Sequence, residues 1–111
     1  MAHYMLLLRN EPNKWAGLSP EEMQKVTEKY MEWRTRPFVL DGQGLVDTTG
    51  RVVGKGGASV TEGPFSESRE VVAGFYAIEA ADFDEAVKLA MTNPHVNSGS
   101  IEIREVIYRA S

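Results

Sequence analysis

Two periodicities alternate along this chain, and together they predict its elements. His3 to Arg9 reads HYMLLLR, a short apolar run with polar ends. Its length favours a buried central strand over a helix, and Glu11-Pro12-Asn13 supplies a turn-rich exit. The next signal is a helix start. Ser19 is a good N-cap, Pro20 sits at the first helical position, and Glu22 completes a capping box, with Leu18 and Met23 at the two positions of a hydrophobic staple. Met23, Val26, Tyr30 and Trp33 then recur at spacings of three and four, one apolar face of an amphipathic helix. Gln24, Lys25, Glu28, Lys29 and Glu32 form its wet side, and Pro37 ends the helix by Arg36 or earlier.

From Phe38 to Thr61 the pattern is one of strands and tight turns. Asp41-Gly42 reads as a turn pair, and Gly44 and Gly50 punctuate again. Arg51-Val52-Val53, the turn Lys55-Gly56-Gly57 and the return Ala58 to Thr61 read as a hairpin. Val71 to Glu79 (VVAGFYAIE) is rich in β-branched and aromatic residues and predicts a central strand. Gly74 inside it marks a bulge or the close approach of another backbone. Asp82, with Glu85 three residues on, is a second capping box; Phe83, Ala86, Val87 and Ala90 give that helix its apolar face, and Asn93-Pro94 closes it. Ile101 to Tyr108 alternates apolar with charged residues, a half-exposed strand.

The order is strand, helix, hairpin region, strand, helix, strand. This is the ferredoxin-like β-α-β-β-α-β pattern of an α+β domain, with two helices on one face of an antiparallel sheet. The strands are too apolar for the other face to stay open in a monomer, so a second copy is expected to cover it, giving a homodimer with a dimeric α/β barrel-like assembly. Loops folded across the sheet of a monomer are the alternative.

Composition narrows the function classes. The 111 residues suit a single domain spanning 1–111. A formal net charge of -4 argues against a general nucleic-acid binder, whose footprint is basic. The absence of cysteine excludes disulfides, thiolate metal sites and cysteine nucleophiles, and two histidines are too few for a multi-histidine zinc site within one chain. No metal and no cofactor are expected. Arg9, Asn10 and Glu11 stop the first apolar run far short of the roughly 18 to 20 residues of a membrane span, and no secretory leader is visible. The default location is cytoplasmic.

His95 is the leading candidate for chemistry, since it follows a helix terminator, precedes the polar Asn97-Ser98-Gly99-Ser100 stretch and need not be core. Histidine titrates near neutrality and moves protons both ways. Glu62, Glu67 and Glu70 surround one tight Gly63-Pro64 turn that Phe65 anchors. If Glu62 and Glu67 face one cleft, their repulsion raises one pKa and sets an acid beside a base. If they meet Arg51, Arg69 or Arg104, they form a structural ion-pair network. Arg51, Lys55 and Arg104 are the cationic candidates for a carboxylate-bearing ligand. Gly54-Lys55-Gly56-Gly57 lacks the spacing and the following Ser/Thr of a phosphate loop and reads as a hairpin turn. His3 reads as structural or exposed, and Met23, Tyr30 and Trp33 as ordinary core packing.

Several segments resemble the YCII-related family, in particular its branch named for a DGPF motif. They are Tyr4 to Leu8, Leu18-Ser19-Pro20-Glu21-Glu22-Met23, Val60-Thr61-Glu62-Gly63-Pro64-Phe65 with Glu67 and Glu70, Gly74-Phe75, Glu85-Ala86, Asn93-Pro94-His95, and Gly99 with Ile101 to Arg104. Glu62 stands where the motif has Asp, the first helix has no histidine, and residues 34–50 fit the family pattern less well. The resemblance implies a dimeric ferredoxin-like protein with a cleft near the subunit interface. It also implies kinship with lyase-like or dehydrohalogenase-like enzymes that act on small acidic substrates through a His-Asp pair. On that basis His95 is expected to shuttle a proton, Glu62 to orient or activate it, and Arg51, Lys55, Glu67 or Arg104 to hold a small acidic molecule during elimination, hydration or isomerisation. The alternative is a non-catalytic dimeric module that binds or senses a small ligand in the same cleft.

Overall fold

A computed structural model describes residues 1–63 and 70–108. Eight regular elements follow in order: β1 (Ala2–Asn10), α1 (Pro20–Arg34), β2 (Val39–Gly44), β3 (Gly50–Val53), β4 (Val60–Gly63), β5 (Val71–Ala80), α2 (Phe83–Ala90) and β6 (Ser100–Glu105). Four strands form one antiparallel sheet in the order β2-β5-β1-β6, while β3 and β4 pair only with each other in a separate two-stranded sheet. Both helices pack on the same face of the main sheet, which is the ferredoxin-like arrangement.

Strand alternation sets the two faces. Tyr4, Leu6 and Leu8 of β1 and Tyr76, Ile78 and Ala80 of β5 point into the core with Trp33 of α1 and Ala86 and Ala90 of α2. Trp33 is fully buried; its ring meets those of Tyr76 and Phe38 edge to face at 4.8 and 5.3 Å, and its Nε1–H donates to Thr92 Oγ1 at 3.0 Å. That one side chain ties α1 to the sheet and to the turn after α2.

The helix starts follow the capping chemistry. Ser19 Oγ accepts from the Glu22 N–H and Glu22 Oε1 accepts from the Ser19 N–H, each at 3.1 Å. At α2, Asp82 Oδ1 accepts from the Glu85 N–H at 2.9 Å, but the Glu85 carboxylate reaches back to the Ala81 N–H, one residue before the cap.

Two expectations are corrected. Asp41-Gly42 is not a turn: both residues lie inside β2, next to a register shift between Val39 and Asp41 that leaves Leu40 without a partner on β5. Gly42 is needed for packing instead, because a Cβ there would stand 2.6 Å from Tyr76 Cδ1. The hairpin of Arg51 to Thr61 therefore does not supply the second strand of the fold; β2 does, and β3–β4 is an addition between β2 and β5. The last strand also ends at Glu105, short of Tyr108. Gly74 does mark a close approach, its missing Cβ leaving room for the Gln43 carbonyl oxygen, which would be 2.9 Å away.

On the face away from the helices, Met5 pairs with Ala77 and Leu7 with Phe75, an apolar centre in the middle of the sheet. Polar pairs flank it: His3 Nε2 with Glu79 Oε1 at 3.0 Å, and Arg9 Nη1 with Glu102 Oε1 at 2.9 Å. The hairpin carries exposed Val52, Val53 and Val60, an arm too small to be stable by itself.

Because Gly42 faces the Tyr76 ring, Gly42→Ala is expected to destabilise the fold by about 1–3 kcal/mol through overpacking. Urea denaturation checks this; a turn at Asp41-Gly42 would tolerate the change within error.

Candidate functional site

The site grows from the end of β1. A register shift between Leu8 and Arg9 bends that strand against β5, and Asn10 ends it in a fully buried position. Residues 12–17 then turn back under a left-handed Asn13 (φ 65°) and carry Trp15 over the first turns of α1. From the other side, the chain leaving α2 is shaped by Asn93, whose side-chain oxygen accepts from the His95 N–H at 2.9 Å. Pro94 opens a short 3-10 turn over Pro94–Asn97, and this turn aims His95 inward. His95 is 2% exposed, so the expectation that it need not be core is overturned.

Both imidazole nitrogens are engaged. Nε2 lies 2.8 Å from the Arg9 carbonyl oxygen and Nδ1 lies 2.8 Å from the Tyr30 hydroxyl. A carbonyl only accepts, so Nε2 carries the hydrogen; Nδ1 is then the acceptor and Tyr30 O–H the donor. Burial pushes the His95 pKa below the ordinary 6.5, opposed by the bond to the Arg9 carbonyl and by the negative charge of Glu70. Burial likewise raises the Tyr30 pKa, against a hydrogen bond with the Ser98 side chain. Gly99 makes this geometry possible: a Cβ there would collide with the Arg9 oxygen and stand 2.9 Å from His95 Nε2. Beneath, Tyr76 O–H donates to the Tyr30 carbonyl at 2.8 Å, and burial lifts its pKa to about 12, so it stays a neutral prop.

Tyr30 and His95 line a cavity of about 110 Å³ between α1 and the sheet. Trp15, Met23 and Val26 give it one apolar wall, and Leu8 and Ala73 another. Asn10 lies on it too. The Asn10 Nδ2 donates to the Glu11 carbonyl at 2.8 Å and to Asp47 Oδ2 at 3.3 Å, while its buried Oδ1 has no partner. A larger concavity of about 460 Å³ runs between α1 and the turn after α2, but it is an open groove edged by Lys25, Lys29 and Arg36 alternating with Glu28 and Glu32.

The other candidates lie elsewhere. Glu62 and Arg51 face each other across the β3–β4 hairpin, 3.9 Å apart, with side chains 87% and 61% exposed. An exposed pair of that kind contributes little. Lys55 is exposed in the hairpin turn. Arg104 sits on the open sheet face, 3.3 Å from Glu102. Glu67, with Pro64, Phe65 and Arg69, lies outside the described residues. The carboxylate whose charge His95 feels is Glu70, which accepts from Ser100 Oγ at 3.0 Å. Among the described residues no group of three or more Asp, Glu or His side chains is placed to hold a metal, and no helix is long and apolar enough to cross a membrane.

Two site residues went unassigned in the sequence reading. Helical spacing makes Tyr30 plain core; it is core on one side and the hydrogen-bond partner of His95 on the other. Its hydroxyl was the available signal, since a buried phenol needs a partner. Asn10, a polar residue at an inward position of β1, was the second.

Comparison with known proteins follows the same boundaries. The family model described as the YCII-related domain matches residues 2–109. An uncharacterized protein of Rhizobium meliloti (strain 1021) is 32% identical, the match covering 91% of this chain and 89% of that one.

The neutral His95 makes a signed prediction. The unfolded chain protonates this imidazole near 6.5, whereas the folded chain resists until a lower pH. Stability from this group is therefore full above about 6.5 and is lost as the pH falls through the folded value. His95→Gln is expected to flatten the decline of Tm between pH 7 and 5, and His95→Ala to cost about 2–4 kcal/mol at pH 7 by orphaning Tyr30 and the Arg9 carbonyl. Melting curves of the three proteins across that range are the check; parallel slopes would place the titration elsewhere.

Proposed function

The chain belongs to the YCII-related domain family, and on that footing we propose that it performs acid–base chemistry, without a cofactor, on a small molecule bound in the Tyr30–His95 cavity. One observation carries the reading: a neutral imidazole in a single tautomer, its free lone pair held by a phenol that lines a cavity. The Tyr30 oxygen takes a proton from the bound molecule as its own hydrogen passes to His95 Nδ1. The imidazolium so formed is stabilised by the Arg9 carbonyl at Nε2–H and by the charge of Glu70. Reversal of both transfers returns the proton at a different atom, which is an isomerisation, or with a leaving group an elimination.

The His95–Glu62 pairing does not enter this scheme, because Glu62 is held by Arg51 on the exposed hairpin. Membership of the DGPF-type branch, with Glu62 in the first position of the motif, and a cytoplasmic location belong to the same proposal. So does the homodimer, whose barrel-like assembly would cover Met5, Leu7, Phe75 and Ala77. Roles of Arg51, Lys55, Glu67 and Arg104 toward an acidic molecule are a separate proposal, since Arg51, Lys55 and Arg104 lie away from this cavity. The second reading, a binding or regulatory module, is favoured by the saturation of both His95 nitrogens, since a group so well held also serves as a cross-link.

Two measurements decide. A pool of small carbonyl and hydroxy compounds in D₂O tests acid–base chemistry without prior choice of substrate. The wild type is expected to exchange carbon-bound hydrogen in at least one compound, and Tyr30→Phe to lose this by about 100-fold or more while remaining folded. No exchange in any compound would leave the binding module. Sedimentation tests the assembly: the wild type is expected as a dimer and Leu7→Asp as a folded monomer, and a monomeric wild type would remove the second copy.

A further inference from the structure

We infer that the cavity beside His95 takes a neutral ligand of about four or five heavy atoms, with an apolar body and one hydrogen-bond donor directed at Asn10, as in a short alcohol or enol. The inference rests on the reading that this cavity is the binding site, and not on proton transfer within it.

Size is the first constraint. A cavity of about 150 Å³ holds benzene, so about 110 Å³ suits a somewhat smaller molecule. Charge is the second. Among the described residues no Lys, Arg, Asp or Glu lines the cavity, and His95 is neutral. An ionised ligand would leave water without a counter-charge at the wall. Arg9, whose backbone carries the His95 bond, turns its guanidinium to Glu102 on the opposite face of the sheet.

Polarity is the third constraint, and it points to a donor. Both partners of Asn10 Nδ2, the Glu11 carbonyl and the Asp47 carboxylate, are acceptors, so the amide cannot be flipped and Oδ1 is fixed as the atom left over. Asn10 is 1% exposed and its Oδ1 has no partner among the described residues. A buried acceptor in that state favours a ligand N–H or O–H over an isostere that lacks one. Leu8, Trp15, Met23, Val26 and Ala73 receive the remaining, apolar part.

A size-matched trio of five heavy atoms each separates the possibilities: 2-butanol, 2-butanone and propionate. Binding to the wild-type protein is followed by NMR at the Trp15 indole N–H and the Asn10 side-chain NH₂. Saturable shifts of both signals by 2-butanol at millimolar concentration are expected, with affinity about tenfold better than for 2-butanone and no binding of propionate. Asn10→Leu is expected to abolish the preference for the alcohol. Equal affinity for alcohol and ketone would overturn the role of Asn10, tighter binding of propionate would overturn the neutral class, and no binding of any member would assign the cavity to water alone. The wild-type comparison stands even where the variant does not fold. Hydrogen exchange that fails while 2-butanol binds would sink the acid–base reading alone; exchange on an acid with no 2-butanol binding would sink this inference alone.

Discussion

A buried neutral imidazole is held in a fold when both of its nitrogens find partners and its charge is suppressed, and the region between the end of β1, α1 and the turn after α2 is organised around that requirement. His95 joins three pieces of chain that are far apart in sequence: the end of β1 through the Arg9 carbonyl, α1 through the Tyr30 hydroxyl, and its own turn through the Asn93 side chain. Each partner is specific. The carbonyl sets the tautomer, the phenol occupies the lone pair, and the Asn93 oxygen fixes the backbone that delivers the ring. Gly99 is the steric condition for the arrangement, since a side chain at that position would occupy the space between strand and ring. The placement of α1 over the sheet near β1's end, and with it the cavity, follows from this cross-link.

The ionic side chains are distributed in a way that keeps this region neutral. Arg9 and Arg104 meet Glu102 on the far face of the sheet, Arg51 meets Glu62 on the hairpin, and Arg34 meets Asp41 at 3.0 Å beside β2. Two carboxylates come nearer: Glu70, whose field reaches His95, and Asp47, 3.3 Å from the Asn10 amide; it is Glu70 that acts on the imidazole. Its effect opposes burial without overcoming it. The balance leaves Nδ1 unprotonated at neutral pH, with a proton already shared from Tyr30 and a negative charge nearby to favour the imidazolium if that proton crosses. On the proposed acid–base reading, the structural cross-link and the proton relay would be the same hydrogen bond viewed at rest and in use.

Much of the scaffold was legible in the residues because its signals are local. Ser19-Pro20-Glu22 and Asp82-Glu85 name the helix starts through hydrogen bonds that close within four residues. The alternation of β1 and β5 names the two sheet faces. What was misread depends on pairing across the chain. Asp41-Gly42 has turn composition, yet β5 recruits it into a strand, and the glycine is required because the Tyr76 ring comes from 34 residues away (76 minus 42) to lie against it. His95 was found through its residue type and the resemblance of its segment to a family, while its burial was not, since the polar residues after it describe a loop and say nothing of what packs over the ring. Tyr30 was hidden for the opposite reason. Helical spacing explained its ring so well that its hydroxyl was left out of account.

The expectation of an acidic ligand comes from the arginines and from family resemblance, and Arg51 and Arg104 each lie beside a carboxylate away from the Tyr30–His95 cavity. An acceptor, Asn10 Oδ1, is the buried atom of a cavity-lining residue left without a partner among the described residues. Its complement is a donor, and a neutral one, because the apolar walls around it offer no solvation to an ion. A hydroxyl placed there also lies on the same cavity wall system as the Tyr30 phenol. On the proposed reading, recognition at Asn10 and proton transfer at Tyr30 would draw on one largely apolar cavity.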